Sequence, residues 1–250
     1  MVSARDRSDE FLTPIGREIW DAKYRHRVDG RVVDHTVTHT WHRVARAVAE
    51  AESPDARATW TERFDNVLSG FHFLPGGRIL AGAGTGRDVT LFNCFVMGLV
   101  DDSMDGIFSA LREGAITMQK GGGIGYDFST LRPSGCHARG TGSIASGPVS
   151  FMRIWDAMCG TILSTGARRG AMMATLRCDH PDIEIFIGAK EQRGELTRFN
   201  LSVQVTDEFM TAVHKDRQWE LVFPCEALGE TPEHHETVTR RWPGTDRPVP

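Results

Sequence analysis

From Thr90 onward the chain alternates short apolar runs with amphipathic stretches, and this alternation restricts the fold more than any other feature. Leu91, Phe92, Cys94, Phe95 and Val96 form a nearly continuous apolar run, as expected of a strand buried on both faces. Asp102-Ser103 offers an N-cap for a helix with Ile107, Leu111, Ala115 and Met118 on one side, ending at the glycines from Gly121. A second amphipathic helix is predicted from Pro148, carrying Phe151, Ile154, Trp155, Met158 and Ile162, and a third from Pro181. Leu201, Val203 and Val205 alternate with polar residues as in a strand. A short helix (Phe209, Val213) then leads to an expected strand of Trp219, Leu221 and Phe223. Strand and helix in alternation imply βα units, hence a parallel sheet or barrel of α/β class.

The first 75 residues read differently, as helices. Trp41, Val44, Ala45 and Val48 fall on one helical face. Ser53-Pro54 is expected to end that helix and start another, serine as cap and proline at the first position. The second helix carries Trp60, Phe64, Val67 and Leu68, expected as core, and breaks at Leu74-Pro75-Gly76-Gly77. This division predicts a helical N-terminal domain over 1–85 and an α/β domain over 86–250. Hydrophobic residues are 40% and charged residues 25% of the 250, which excludes disordered and fibrous classes. With a net charge of −4, no basic footprint for a nucleic-acid polymer is present. No apolar run is long enough to span a membrane and the N-terminus has no apolar leader segment, so a cytoplasmic protein is expected.

Glycine is the compositional outlier, 26 of 250, against a usual share of roughly 7%. The glycines cluster, marking places where backbone turns sharply or approaches a ligand. Lys120 precedes Gly121-Gly122-Gly123-Ile124-Gly125. This is neither a phosphate loop of the Gly-Lys-Ser/Thr kind nor a dinucleotide fingerprint, because the glycines close a helix rather than open one. Ser164 to Ala171 places Arg168 and Arg169 between glycines, a loop able to change shape around an anion. Five cysteines without a Cys-Xaa-Xaa-Cys pair exclude a disulfide scaffold. Cys178, His180, His234 and His235 fit no structural zinc spacing, so no metal site is expected. Cys94 is the candidate reactive thiol, set against the ordinary use of a cysteine as a small buried hydrophobe.

Six segments, in order, carry a family resemblance: Phe73-Leu74-Pro75-Gly76-Gly77-Arg78, Phe92-Asn93-Cys94-Phe95-Val96, Asp101-Asp102-Ser103-Met104, Gln119-Lys120-Gly121-Gly122-Gly123-Ile124-Gly125, Gly142 to Val149, and Arg168 to Leu176. Over roughly 70–225 the chain resembles the large subunit of ribonucleotide reductase, most closely the adenosylcobalamin-dependent class II enzymes. The resemblance implies a helical N-terminal region followed by the first half of a ten-stranded α/β barrel. It implies reduction of a ribonucleotide at the 2′ carbon by a thiyl-radical mechanism, with Cys94 as the first of two reducing cysteines. Asn93, Gly122, Gly123 and Arg169 are then expected at the substrate. Asp102, Ser103, Met104, Lys120 and Arg132 are expected at an allosteric site for a deoxynucleoside triphosphate, which selects the substrate through the 164–171 loop. The implied partners are adenosylcobalamin, a thioredoxin-type reductant and a second copy of the chain docked through the 103–120 helix.

The chain departs from the family in what it lacks. No Asn-Xaa-Cys-Xaa-Glu radical loop occurs, nor a second reducing cysteine, nor a terminal cysteine pair; Cys225 has none of the required flanking residues. The expectation is an N-terminal part of a longer reductase, completed by a C-terminal part and inactive alone. The alternative is a nucleotide-binding or assembly module without catalysis; an unrelated thiol enzyme would need a base near Cys94 that the neighbouring sequence does not offer.

Overall fold

The computed structural model describes residue 11, residues 13–136, 143–162, 170 and 172–223, and the backbone of 240–241 and 248–249. These divide into two compact units. One comprises the residues up to Asn93 with Lys120–Gly122; the other comprises Cys94–Gln119 and the described residues from Gly123 on.

The first unit begins with α1 (Pro14–Lys23), whose Gly16 N–H is accepted by the Thr13 hydroxyl at 3.3 Å. A two-stranded hairpin, β1 (Arg27–Val28) and β2 (Arg31–Val32), follows. Its turn residues Asp29 and Gly30 both take positive φ, 49° and 78°, as a two-residue hairpin requires. Then come α2 (Val37–Ala49), opened by a Thr36–His39 capping box, α3 (Arg57–Leu68), a 3₁₀ turn at Ser69–Phe71, and α4 (Gly77–Gly82). Trp20, Val37, Trp41, Val44, Ala45, Leu68 and Leu80 form the core.

Four expectations need correction here. The hairpin and α4 interrupt a region read as two helices and a turn. Ser53 does not cap α3, which starts at Arg57 behind a turn in which the Ser53 carbonyl accepts the Ala56 and Arg57 N–H groups. Val48 points outward and Ala49 takes its place in the buried face. On α3 only Leu68 is fully buried; Trp60 and Phe64 stack on each other at 5.4 Å and Val67 is exposed. Their helical spacing places the two aromatics on one stripe, but the stripe lies at the rim of the core.

The second unit is α/β. Four parallel strands, β3 (Cys94–Val96), β4 (Gly123–Asp127), β5 (Met172–Arg177) and β6 (Phe199–Gln204), lie side by side in that order. Between them run α5 (Met104–Gln119), α6 (Gly147–Thr161) and α7 (Ile183–Gly188), and α8 (Asp207–His214) follows. The pleat divides the strand residues. Ile124, Tyr126, Met172, Ala174, Leu176 and Phe199 are buried with residues of α5 and α6 such as Met118, Met152 and Trp155. The alternate residues, Cys94, Val96, Met173, Arg177, Asn200 and Gln204, are exposed on the opposite face. Tyr126 donates to the Ala110 carbonyl at 2.5 Å, and burial pushes its phenol up to about 12. Gly114 on α5 lets this pair close: a Cβ there would come within 2.9 Å of Tyr126 Oη.

Two readings are overturned. The apolar run at Leu91–Val96 is not buried on both faces: β3 holds only three residues at the sheet edge, Phe92 is 73% exposed and Val96 99%. Only the helix-bearing face is covered by the described residues. The segment 219–223 is not a strand; it packs on the turn after β5, with the Val222 N–H donating to the Asp179 carbonyl and Trp219 Nε1 to the Cys178 carbonyl. A further antiparallel pair, β7 (Arg240–Arg241) and β8 (Pro248–Val249), is formed near the end of the chain.

Candidate functional site

In the second unit, Cys94 is the first residue of β3 and pairs in register with Gly123, the first residue of β4. Two positions along, Val96 pairs with Gly125, and Gly125 with Met173. The strand next to Cys94 therefore presents two glycines to the open face, a bare stretch of backbone one strand spacing, about 4.8 Å, from the backbone of β3. Cys94 is exposed, whereas Cys159 and Cys178 are buried and burial raises both of their thiol pKa values. Cys94 thus lies at the amino end of its strand, and the cap of α5, Ser103, follows only after the 97–102 loop.

The first unit has glycine contacts of its own. There Gly76, of the Leu-Pro-Gly-Gly turn, leaves room for Asn93, whose Nδ2 would lie 3.5 Å from a Cβ at that position. Gly121 at φ 94° faces the Arg78 guanidinium, 3.0 Å from where its Cβ would stand. The Thr90 N–H donates to the Lys120 carbonyl at 2.9 Å, and Gly122 is buried. Three of the sequence segments, around 74–78, 90–93 and 120–122, are thereby brought together. Lys120 pairs with Asp88 at 3.1 Å in this unit.

A second cluster, inside the second unit, unites Asp102 and Arg132. Arg132 Nε donates to Asp102 Oδ2 at 2.7 Å and the Arg132 N–H to Oδ1 at 3.2 Å, with both side chains largely buried. Ser103 caps α5 by accepting the Gly106 N–H on its hydroxyl at 3.0 Å, and Met104 beside it is 59% exposed. Arg169, the 164–169 part of its loop, His234 and His235 lie outside the described residues. His180 engages the Leu131 carbonyl through its Nε2 and accepts the Asp182 N–H on its Nδ1. Among the described residues, no group of three or more His, Cys, Asp or Glu is placed to hold a metal ion.

Sequence reasoning passed over Asp182 and Ser134. The Asp182 carboxylate is 1% exposed and accepts both the Ser134 N–H and the Ser134 hydroxyl at 2.8 Å. The signal available was His180-Pro181-Asp182, a capping residue ahead of the apolar α7.

Comparison with known proteins matches residues 10–88 to the ribonucleotide reductase all-alpha domain and residues 92–242 to the ribonucleotide reductase barrel domain. The chain belongs to the ribonucleotide reductase large-subunit family. Among curated relatives, a vitamin B12-dependent ribonucleoside-diphosphate reductase of Mycobacterium tuberculosis is 45% identical over 186 residues, 73% of this chain and 27% of the relative. One from Thermoplasma acidophilum is 42% identical over 166 residues, 66% of this chain and 21% of the relative. The ribonucleoside-diphosphate reductase large subunit of vaccinia virus is 29% identical over 234 residues, 92% of this chain and 29% of the relative. The chain thus spans about a quarter of the length of these reductases. The helical first unit and the parallel sheet of the second agree with the all-alpha and barrel assignments. No helix among the described residues is long and apolar enough to cross a membrane.

Proposed function

We propose that this reductase chain takes part in reducing ribonucleoside diphosphates to 2′-deoxyribonucleotides for DNA synthesis, with Cys94 as one of the two thiols that reduce the 2′ carbon. The carrying observation is the placement of Cys94: an exposed thiol beside a strand whose open-face positions are Gly123 and Gly125. A ribose needs such a surface, because bare backbone permits close approach and leaves N–H and C=O groups to orient the sugar. Cys94 would give its proton to the departing 2′ hydroxyl. Two thiols together supply two electrons and two protons; water leaves, the C2′–H bond forms and the thiols end as a disulfide. Asn93, Gly122, Gly123 and Arg169 are the proposed substrate contacts. The second cysteine and the radical cysteine have no match in this sequence, so turnover is assigned to this chain together with a complementing C-terminal part.

Relatives named vitamin B12-dependent support adenosylcobalamin as the cofactor. Among the described residues the site offers a thiol, glycine backbone and one ion pair, which do not form a corrin site. A thioredoxin-type protein is the proposed reductant, and a homodimer through α5 the proposed assembly, with the cytoplasm as location. Asp102, Ser103, Met104 and Arg132, with Lys120 as a further contact, are proposed to bind a deoxynucleoside triphosphate that selects the substrate. The Asp102–Arg132 pair supports this, because a guanidinium beside a capped helix start suits phosphate.

The test is complementation. The chain is mixed with the C-terminal part of a B12-dependent reductase, adenosylcobalamin and dithiothreitol, and deoxycytidine diphosphate is measured from cytidine diphosphate. Product only when both parts are present is expected. No product, while dTTP still binds with Arg132-dependent affinity, favours the non-catalytic nucleotide-binding module.

A further inference from the structure

The segment carrying Arg132 is held from two sides. Toward the loop before α5, Thr130 Oγ1 donates to the Val100 carbonyl at 2.5 Å and Arg132 engages Asp102 through its Nε, its N–H and, at 3.4 Å, its Nη2 to the Asp102 carbonyl. Toward the loop after β5, His180 Nε2 meets the Leu131 carbonyl at 2.9 Å, and Asp182 takes both donors of Ser134. His180 and Asp182 are themselves coupled, the Asp182 N–H donating to His180 Nδ1 at 3.0 Å. These two side chains are 2% and 1% exposed. Gly147, at φ 76°, opens the space the carboxylate fills: a Cβ there would run into Asp182 Oδ2. A buried carboxylate satisfied by two short bonds from one residue fixes that residue's backbone firmly. Arg132 lies between the two fixed points, Leu131 and Ser134, with only Pro133 beside it.

We propose that Asp182, assisted by His180, is a positioning residue of the effector site: it holds the 131–134 segment so that Arg132 is aimed at Asp102 and at the phosphates of a bound deoxynucleoside triphosphate. This rests on the effector-site reading above and deepens it. Asp182 touches no nucleotide on this account; it acts through Arg132. Its own loop continues β5, whose first residue, Met172, follows directly on the 164–171 loop proposed to read the substrate. The effector-holding segment is thus bonded to the end of the strand that this loop feeds.

The experiment is equilibrium dialysis of the 250-residue chain with dTTP in a double-mutant cycle. Asp182→Asn replaces the doubly accepting carboxylate; Ser134→Ala, a milder change, removes one bond and serves if the first variant fails to fold. Ser134→Thr keeps the hydroxyl and should restore binding. Each of Asp182→Asn and Ser134→Ala is expected to weaken dTTP at least about tenfold, the effect of losing a hydrogen bond to a charged group. In an Arg132→Ala background the same changes should cost nothing further. An equal loss in both backgrounds, or no loss in the wild-type background, overturns the proposal and leaves the effector site standing. Absence of dTTP binding by the unmutated chain overturns the effector-site reading itself, and this proposal with it.

Discussion

At the scale of single residues, the polar groups buried in the first unit are as decisive as its aromatic core. Asp34 accepts from Thr40 Oγ1 at 2.8 Å and from Arg43 Nη2 at 2.9 Å, while Arg43 also donates to the Leu80 and Ala83 carbonyls. One carboxylate and one guanidinium thus join the hairpin, α2 and α4. Asp34→Ala leaves Arg43 buried without its counter-charge, and a loss of about 3–5 kcal/mol in unfolding free energy is expected in urea melts. His26 lies beside this pair, and burial, reinforced by the Arg43 charge, lowers its pKa below the usual 6.5. The fold therefore keeps the imidazole neutral, whereas the unfolded chain binds a proton at the ordinary pKa. Between the two values the unfolded state holds more protons, so stability falls as pH drops below about 6.5 and levels off once the folded-state value is passed. Melting temperatures recorded between pH 8 and pH 5 should show this decline, and His26→Gln should flatten it.

At the scale of elements, the close approach of α5 to β4 depends on Gly114. Gly114→Ala would force a methyl to within 2.9 Å of Tyr126 Oη and 3.0 Å of Ile124 Cδ1. Overpacking of this kind costs about 1–3 kcal/mol, to be read as a lowered melting temperature without loss of helical circular dichroism. The helices of the α/β unit were legible because their apolar spacing and caps agree: Ser103 caps α5 and Trp155 is buried on α6 as the pattern requires. Strand β6 was legible from its alternation. What misled was local text whose meaning depends on distant partners. Leu91–Val96 is apolar on both sides, yet only one side meets described residues. The β1–β2 hairpin is signalled only by Asp29-Gly30, a two-residue cue between helices whose apolar spacing dominates the region. For the site, Cys94 and the Asp102–Arg132 pair could be singled out from the motifs. Asp182 was marked only as a capping position ahead of α7, and its pairing with Ser134 was not legible, because the bond joins residues 48 apart in sequence.

At the scale of the whole molecule, the exposed face of the sheet carries the functional argument. Cys94, Val96, Met173, Asn200 and their neighbours present a half-apolar surface that includes a thiol, while the core of the second unit lies on the other face. On the proposed function, a nucleotide bound at this face reacts only once the face is shielded from water. The account predicts that the chain alone, supplied with adenosylcobalamin and reductant, makes no deoxynucleotide. Its central claim is that Cys94 is one of the reducing thiols, and the most direct measurement is turnover by the complemented reductase carrying Cys94→Ser. A hydroxyl keeps the size and hydrogen bonding of the side chain but cannot close a disulfide. Deoxycytidine diphosphate formation should fall to background while dTTP binding stays at the wild-type level. Sustained multiple turnovers by Cys94→Ser would contradict the account.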